Sequence, residues 1–465
     1  MRPIVDSLFR FSPADFPSVN IDTLRKELTF RSLSGEKYGF GESQTVEMLI
    51  EKEGIVAVPR RYAYERFPEN MLRLADDQIS LGSKVEIGFR EDKQSKRPEL
   101  KIRQDALIRQ FLAGMEFGST PMRGGILCAA CGTGKTVMAT KLMSILGVTA
   151  LVVVHKEFLA EQWKEKLLEF TDLKEEDIGI VQQTKCKFEG KKVVLAMVQS
   201  IMDPSKYPEE FLSWPGVCIY DETHRMSAPL FQSAIPWFPA KYRIGVTATP
   251  RRSDGLQPVF EWHIGKILAT MPGGNEVLPK IYQVKFETYV PESFYIWRGK
   301  DNEIIKTFLG KLVTILAEME KRNLWLSKEI AKAATSGRKI MVLSDRREHL
   351  DILHKMLESM KQDFSIGYYI GGMKKSEREE SAQADIILAT YAMAKEGLDI
   401  PEIDTLFLAT PKTDVEQSVG RILRYHEDKK EPLVVDIVDS LPFCEDFAGK
   451  RRRQYKKLGW SFLEK

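Results

Sequence analysis

Cysteine and histidine are scarce in this chain, five of the first and six of the second in 465 residues. Cys128, Cys131, Cys186, Cys218 and Cys444 are too few and too scattered for a disulfide framework, so a reducing compartment fits. Cys128 and Cys131 form a C-x-x-C, but no second pair stands at zinc-finger spacing and no H-E-x-x-H occurs; a cysteine- or histidine-built metal site is not expected. A large charge of either sign is also missing. With 69 Lys and Arg against 66 Asp and Glu the net charge is +3, so contact with nucleic acid must come from local basic grooves. No stretch of about 18 apolar residues occurs, and the start carries Arg2, Asp6 and Arg10 where a signal peptide has its apolar core. No membrane contact and no secretion are expected. Low-complexity tracts and solenoid-period repeats are absent as well.

What the chain does have is 43% apolar residues, enough for a core in each of the roughly 3 domains its length suggests. From about residue 124 short β-branched runs alternate with amphipathic stretches, which predicts an α/β fold with helices on both faces of a parallel sheet. Strands are expected at 125–128, 149–154, 193–197, 217–220 and 243–246. Leu159, Trp163, Leu167 and Phe170 recur at helical spacing in the stretch 157–170 and are read as core. A Pro/Gly cluster at 271–279 is the best linker, and a second series follows with strands at 339–343, 366–370, 385–389, 405–408 and 433–437. The first 97 residues are charge-rich and read as a separate small domain. The expected division is 1–97, 98–272 and 273–465.

Residues 129–136 read A-A-C-G-T-G-K-T between a strand and a helix, the context a phosphate-binding loop requires. Gly132 and Gly134 let backbone N–H groups curl around phosphate oxygens, and Ala130, Cys131 and Thr133 complete the cradle. Lys135 is expected on the β- and γ-phosphates and the Thr136 hydroxyl on Mg²⁺. Ala129 stands where the general pattern has Gly. Asp221 and Glu222 close the strand expected at 217–220, where ligands of open parallel sheets bind. Asp221 is placed to hold Mg²⁺, partly through water, and Glu222 to polarise the attacking water. A capping box at 413–416 starts a helix on which Gln417, Arg421 and Arg424 share one face while Val419, Ile422 and Leu423 face a core.

These motifs, with Thr247-Ala248-Thr249-Pro250, resemble in order and separation motifs I, II, III and VI of superfamily 2 helicases of the DExH type. The resemblance covers residues 98–440 and is closest to the branch of XPB, UvsW and related viral helicases. It implies two tandem RecA-like domains that bind ATP and Mg²⁺, with Gln417, Arg421 and Arg424 as catalytic partners of Lys135 and Glu222. By the same resemblance Gln104 lies on the adenine side and Asp399 near the nucleotide, while Gln199, Ser200 and Thr390 touch the nucleic-acid backbone. Arg60 and Arg61, clustered with Tyr62 and Tyr64, could grip a duplex or junction; a charged surface over a small core is an equal reading. The resemblance points to a DNA helicase of the UvsW type, acting as a monomer on forked or branched DNA in recombination, repair or replication. Such a protein works in the cytoplasm of a bacterial or virus-infected cell. An RNA helicase of the same superfamily, a P-loop kinase or other NTPase acting on a small molecule, and a clamp without hydrolysis are the alternatives.

Overall fold

The computed structural model describes residues 2–32, 45–116, 123–130, 132–223, 232–248, 255–271, 278–298, 304–396, 400–413, 415, 419 and 429–463. The chain forms two compact units, Met1–Gly273 and Gly274–Lys465, and the border falls inside the Pro/Gly cluster at 271–279.

The first unit opens with a small five-stranded sheet, ordered Ile50–Lys52, Ile55–Pro59, Leu8–Phe11, Ile4–Val5 and Asp76–Asp77. Phe67 packs edge-on against Phe9 and Phe11 at 5.5 and 5.3 Å between ring centres, the geometry favoured by the ring quadrupole. The helix Arg60–Arg66 lies between this sheet and the helix Gln257–His263, and Tyr62 meets Trp262 edge-to-face at 5.1 Å.

The second sheet of this unit runs Lys185–Cys186, Ile178–Gln182, Val193–Met197, Ala150–Val154, Val217–Asp221, Tyr242–Thr247, Arg123–Ala129 and Ile267–Met271. All pairings are parallel except the edge strand Lys185–Cys186. Its central strands are buried along their length, as expected when both faces are covered. The covering helices include α1 (Pro98–Glu116), α2 (Lys135–Leu146) and α3 (Glu157–Phe170), and the stripe Leu159, Trp163, Leu167 and Phe170 is buried as its spacing predicts. The register sets Cys128 opposite Thr247 and Val246 opposite Asp221. Loop, acid and hydroxyl thus emerge along one line at the carboxyl ends of three adjacent strands.

The second unit is built on an all-parallel sheet ordered Ile366–Tyr369, Ile386–Thr390, Ile340–Ser344, Thr405–Leu408, Leu433–Asp439, Lys280–Phe286 and Ser461–Phe462. Two arginines are sealed into it with carboxylate partners. Arg322 pairs with Asp439 at 2.8 Å with both side chains fully buried, and Arg451, from the most basic run of the sequence, pairs with Asp436 at 2.6 Å. That run therefore spends its central guanidinium on the core. No helix of the described residues is long and apolar enough to cross a membrane.

His349 supplies a pH dependence to this unit. Its Nε2–H donates to Asn323 Oδ1 at 2.9 Å and its Nδ1 accepts from the Ser344 hydroxyl at 3.0 Å, so the neutral ring is the one the site fits. Burial, then the nearby Arg322 guanidinium, pushes it down to about 3. Below its ordinary value the unfolded chain takes up a proton that the folded ring refuses. Stability is therefore full above about pH 6.5 and falls by roughly 1.4 kcal/mol per pH unit as the solution is acidified toward 3. Urea unfolding of the wild type and His349→Gln at pH 7, 6 and 5 measures this; equal slopes for the two proteins would remove His349 as the source.

Candidate active site

The loop begins where the strand Arg123–Ala129 ends. Ala130 is anchored through its N–H to the Met271 carbonyl at 3.2 Å, and its own carbonyl accepts from the Thr133 hydroxyl at 2.6 Å. Gly132 and Gly134 have φ of +78° and +83°, conformations that cost a side-chain-bearing residue energy and that turn successive N–H groups toward one side. At Gly134 the space is closed too, since a Cβ would lie 2.4 Å from Gln104 Nε2. Gly134 caps α2, whose first two residues are Lys135 and Thr136, so the positive end of the helix and the lysine act on the same point. Cys131 lies outside the described residues. Cys128, which would be its redox partner, is buried, and burial pushes its thiol up to about 11, out of the reactive range.

Asp221 ends its strand in a buried position. Its Oδ2 accepts from the indole N–H of Trp163 at 2.8 Å and its Oδ1 from the Glu222 N–H at 2.9 Å. Burial, then the charge of Glu222, pushes Asp221 up to about 6, while Trp163 and Lys135 pull it back. Glu222 follows with φ of +47°, a left-handed backbone that a non-glycine residue adopts at a cost of about 1–2 kcal/mol. Its Oε1 stands 3.5 Å from Lys135 Nζ. These two opposite charges therefore neutralise each other.

Trp163 is thus more than a member of an apolar stripe. A buried indole N–H must find an acceptor, and the one it has found is a carboxylate of the site. Trp163→Phe keeps the packing and removes the bond. Partners of metal-binding groups typically matter 10–100-fold, so about tenfold more Mg²⁺ is expected for half-maximal ATP hydrolysis. A magnesium titration of the ATPase at fixed ATP reads this directly.

Mg²⁺ fits this donor set: one carboxylate, one hydroxyl and the phosphates themselves, the sparse protein ligation the ion usually has. Accordingly, no group of three His, Cys, Asp or Glu side chains converges as metal ligands among the described residues. Thr247 is buried at the end of its strand. Gln104 is 1% exposed, and its carboxamide is engaged by Thr133 and Gln94; the contact it makes is to the loop. Gln199 is exposed with its amide on the His155 carbonyl, and the Ser200 hydroxyl accepts from the Gln183 N–H. In the second unit Thr390 ends its strand half-buried opposite Ser344. Asp399, Gln417, Arg421 and Arg424 lie outside the described residues. Val415 and Val419, which flank Gln417, are both buried and joined by a Val419 N–H to Val415 carbonyl bond of 2.8 Å.

The expectation that Arg60 grips DNA is overturned. Arg60 is fully buried, and its guanidinium donates to the carbonyls of Asp6 at 3.0 Å and Ala240 at 2.6 Å. Arg243, 1% exposed, donates in the other direction to the carbonyls of Ser7 at 3.2 Å, Phe238 at 2.8 Å and His263 at 3.1 Å. The helix carrying Arg60 is covered on both sides, and a buried guanidinium must spend its donors on whatever acceptors surround it. Arg61 is only 22% exposed and pairs with Glu65 at 2.9 Å, while Tyr62 donates its hydroxyl to Glu27. This cluster is a fastening between the small sheet and the larger one.

Residues 97–252 match the family described as type III restriction enzyme, res subunit, and residues 321–426 match the helicase conserved C-terminal domain. A protein of Acanthamoeba polyphaga mimivirus described as a putative ATP-dependent RNA helicase is 30% identical over 90% of this chain and 78% of its own length. Among solved structures, S. cerevisiae Dbp5 bound to RNA and ADP BeF3 aligns over 82% of this chain and 96% of its own, at 14% identity with a TM-score of 0.53. The type ISP restriction-modification enzyme LlaBIII bound to DNA aligns over 72% of this chain and 28% of its own, at 16% identity with a TM-score of 0.51. The two structures share the fold.

Proposed function

We propose that this chain, which belongs to superfamily 2 of the helicases and hydrolyses ATP, couples that hydrolysis to unwinding or branch migration of duplex and branched DNA. Residues 98–272 and 273–465 are read as its two motor lobes and 1–97 as a small accessory module. The observation that carries the reading is the line of groups at the carboxyl ends of three neighbouring strands: the glycine loop with Lys135, the Asp221–Glu222 pair and Thr247. A metabolite kinase needs the first of these. A motor that must sense and split a triphosphate uses all of them together with Gln417, Arg421 and Arg424.

In this scheme Lys135 exchanges Glu222 for the phosphate oxygens of ATP, which frees the Glu222 carboxylate to orient and deprotonate the attacking water. Thr136 and Asp221 hold Mg²⁺, which when bound neutralises charge on the phosphates. Trp163 keeps Asp221 aimed. Contact with unpaired bases is supported by a concentration of exposed aromatics in the second unit. Tyr289, Phe294, Trp297 and Phe308 are 83%, 52%, 56% and 40% exposed within twenty residues of chain, and base–aromatic stacking is worth about 1–3 kcal/mol each.

RNA is the second reading, favoured by the description of the mimivirus relative as an RNA helicase. One panel separates the two. ATP hydrolysis is measured with duplex DNA, forked DNA, single-stranded DNA and RNA, and unwinding is measured on a fork, a three-way junction, a four-way junction and a tailed duplex, with and without ATP. Stimulation by forked DNA and ATP-dependent processing of junctions are expected; stimulation by RNA alone would replace the DNA reading with the other.

A further inference from the structure

A partly buried chain of polar groups runs from the middle of α2 to the loop. Lys141, on α2, directs its three donors at Glu91 Oε1 (2.7 Å), Asp105 Oδ1 (2.9 Å) and Gln94 Oε1 (3.0 Å). Gln94, 3% exposed, uses both of its amide hydrogens, on Asp105 Oδ1 at 2.8 Å and on Gln104 Oε1 at 3.1 Å. Gln104 then donates from Nε2 to the Thr133 carbonyl at 2.9 Å.

The direction of this chain is fixed by chemistry. A lysine ammonium has donors and no acceptor. Burial works against the charge of Lys141, but Glu91 and Asp105 outweigh it and hold the group protonated above its usual range. Gln94 must therefore turn its oxygen to Lys141 and its nitrogen to Gln104, and Gln104 must in turn present nitrogen to Thr133. Neither carboxamide can flip without facing donor against donor or acceptor against acceptor.

The far end is the Thr133–Gly134 peptide of the phosphate loop. In a trans peptide the C=O and the following N–H point opposite ways. With the Thr133 carbonyl held by Gln104, the Gly134 N–H is turned to the other side, ready for an anion before one arrives.

We propose that Gln94 and Lys141 are positioning residues of the nucleotide site: acting through Gln104, they lock the Thr133–Gly134 peptide so that the Gly134 N–H is presented to phosphate, whatever base the nucleotide carries. The proposal rests on the ATP-site reading and deepens it. It assigns the upstream segment and the middle of α2 to recognition of the triphosphate, by a route that is blind to the purine.

The experiment uses the full chain and equilibrium binding of ATP, GTP and ADP, with KM for ATP and GTP measured alongside. Gln94→Glu is the sharpest variant. It keeps the shape and the bond from Lys141, but its carboxylate cannot donate to Gln104. Weakening of about tenfold is expected for ATP, GTP and ADP alike, the scale of one charge-assisted hydrogen bond, with kcat changed less than KM. Lys141→Met should behave the same way and Lys141→Arg, also a pure donor, should restore affinity to within about threefold. A loss confined to ATP and ADP, with GTP unaffected, would overturn the proposal by showing that the chain serves the base. Unchanged binding of all three nucleotides by a folded Gln94→Glu protein would overturn it as well. A wild type that binds nucleotides but hydrolyses none sinks the helicase reading and leaves this test intact.

Discussion

Glu222→Gln is expected to cut ATP turnover by about 10²–10⁴-fold, the range general-base groups contribute, while leaving ATP bound at least as tightly as in the wild type. Both halves of the result come from the same pair of atoms. The carboxylate removed is the proposed base of the site, and it is also the partner held 3.5 Å from Lys135 Nζ. In the wild type, ATP must break that ion pair; the neutral glutamine offers Lys135 less to give up. Single-turnover phosphate release measures the first half, and equilibrium binding of ATP measures the second. A turnover loss below tenfold would place the attacking water elsewhere, and a loss of binding equal to the loss of turnover would mean that Glu222 holds the loop together instead of splitting ATP.

Arg424→Ala is expected to lower turnover further, by about 10³–10⁵-fold, the effect of withdrawing an arginine finger from the charge that develops on the transferred phosphoryl group. ATP binding should change little, because that charge is a property of the transition state. The expectation rests on helical phase. On the helix that the sequence predicts, at about 100° per residue, Gln417, Arg421 and Arg424 would fall on the side opposite Val415 and Val419, and those two valines are buried and joined by a backbone hydrogen bond. Val415 and Val419 are anchored in the core of the second unit. Multiple-turnover ATPase with saturating DNA reads the effect, and a loss below tenfold would take Arg424 out of the active site. A P-loop kinase acting on a small molecule would not notice the change.

The sequence made some of this molecule legible and hid the rest for physical reasons. All ten strands expected in the two series exist, because a buried parallel strand must be short, apolar and β-branched and few other segments are. Other strands were not visible, and three of them show why. Ile178–Gln182 carries Gly179, which reads as a break, yet it is there because the Lys187 carbonyl passes where a Cβ would be. Ile267–Met271 is written partly in helix-forming residues, Leu268, Ala269 and Met271, and tertiary pairing with Arg123–Ala129 overrides them. Lys280–Phe286 has Lys280, Gln283 and Lys285 among its apolar residues, which suits a strand near the edge of a sheet and not the all-apolar pattern.

At the site, the motif residues could be found because phosphate chemistry dictates their types and spacing. The supporting groups could not. Trp163 fits its apolar stripe so well that periodicity alone assigns it to the core, although the need of its N–H for an acceptor was a usable signal. Lys141 offered another, a lone cation within the otherwise buried run Val137–Met143. Arg60 misled in the opposite sense: local clustering of basic and aromatic residues looks the same whether it faces solvent or a second layer of the fold.

That second layer has a mechanical corollary. Arg60 and Arg243 reach across the same seam from opposite banks, each clasping main-chain oxygens of the other side in a place water does not enter. Prying the seam open would break the main-chain hydrogen bonds of both guanidiniums at once, so the small sheet is held to the larger one as a single body. A displacement of the larger sheet is therefore carried to the small one without slack at the joint.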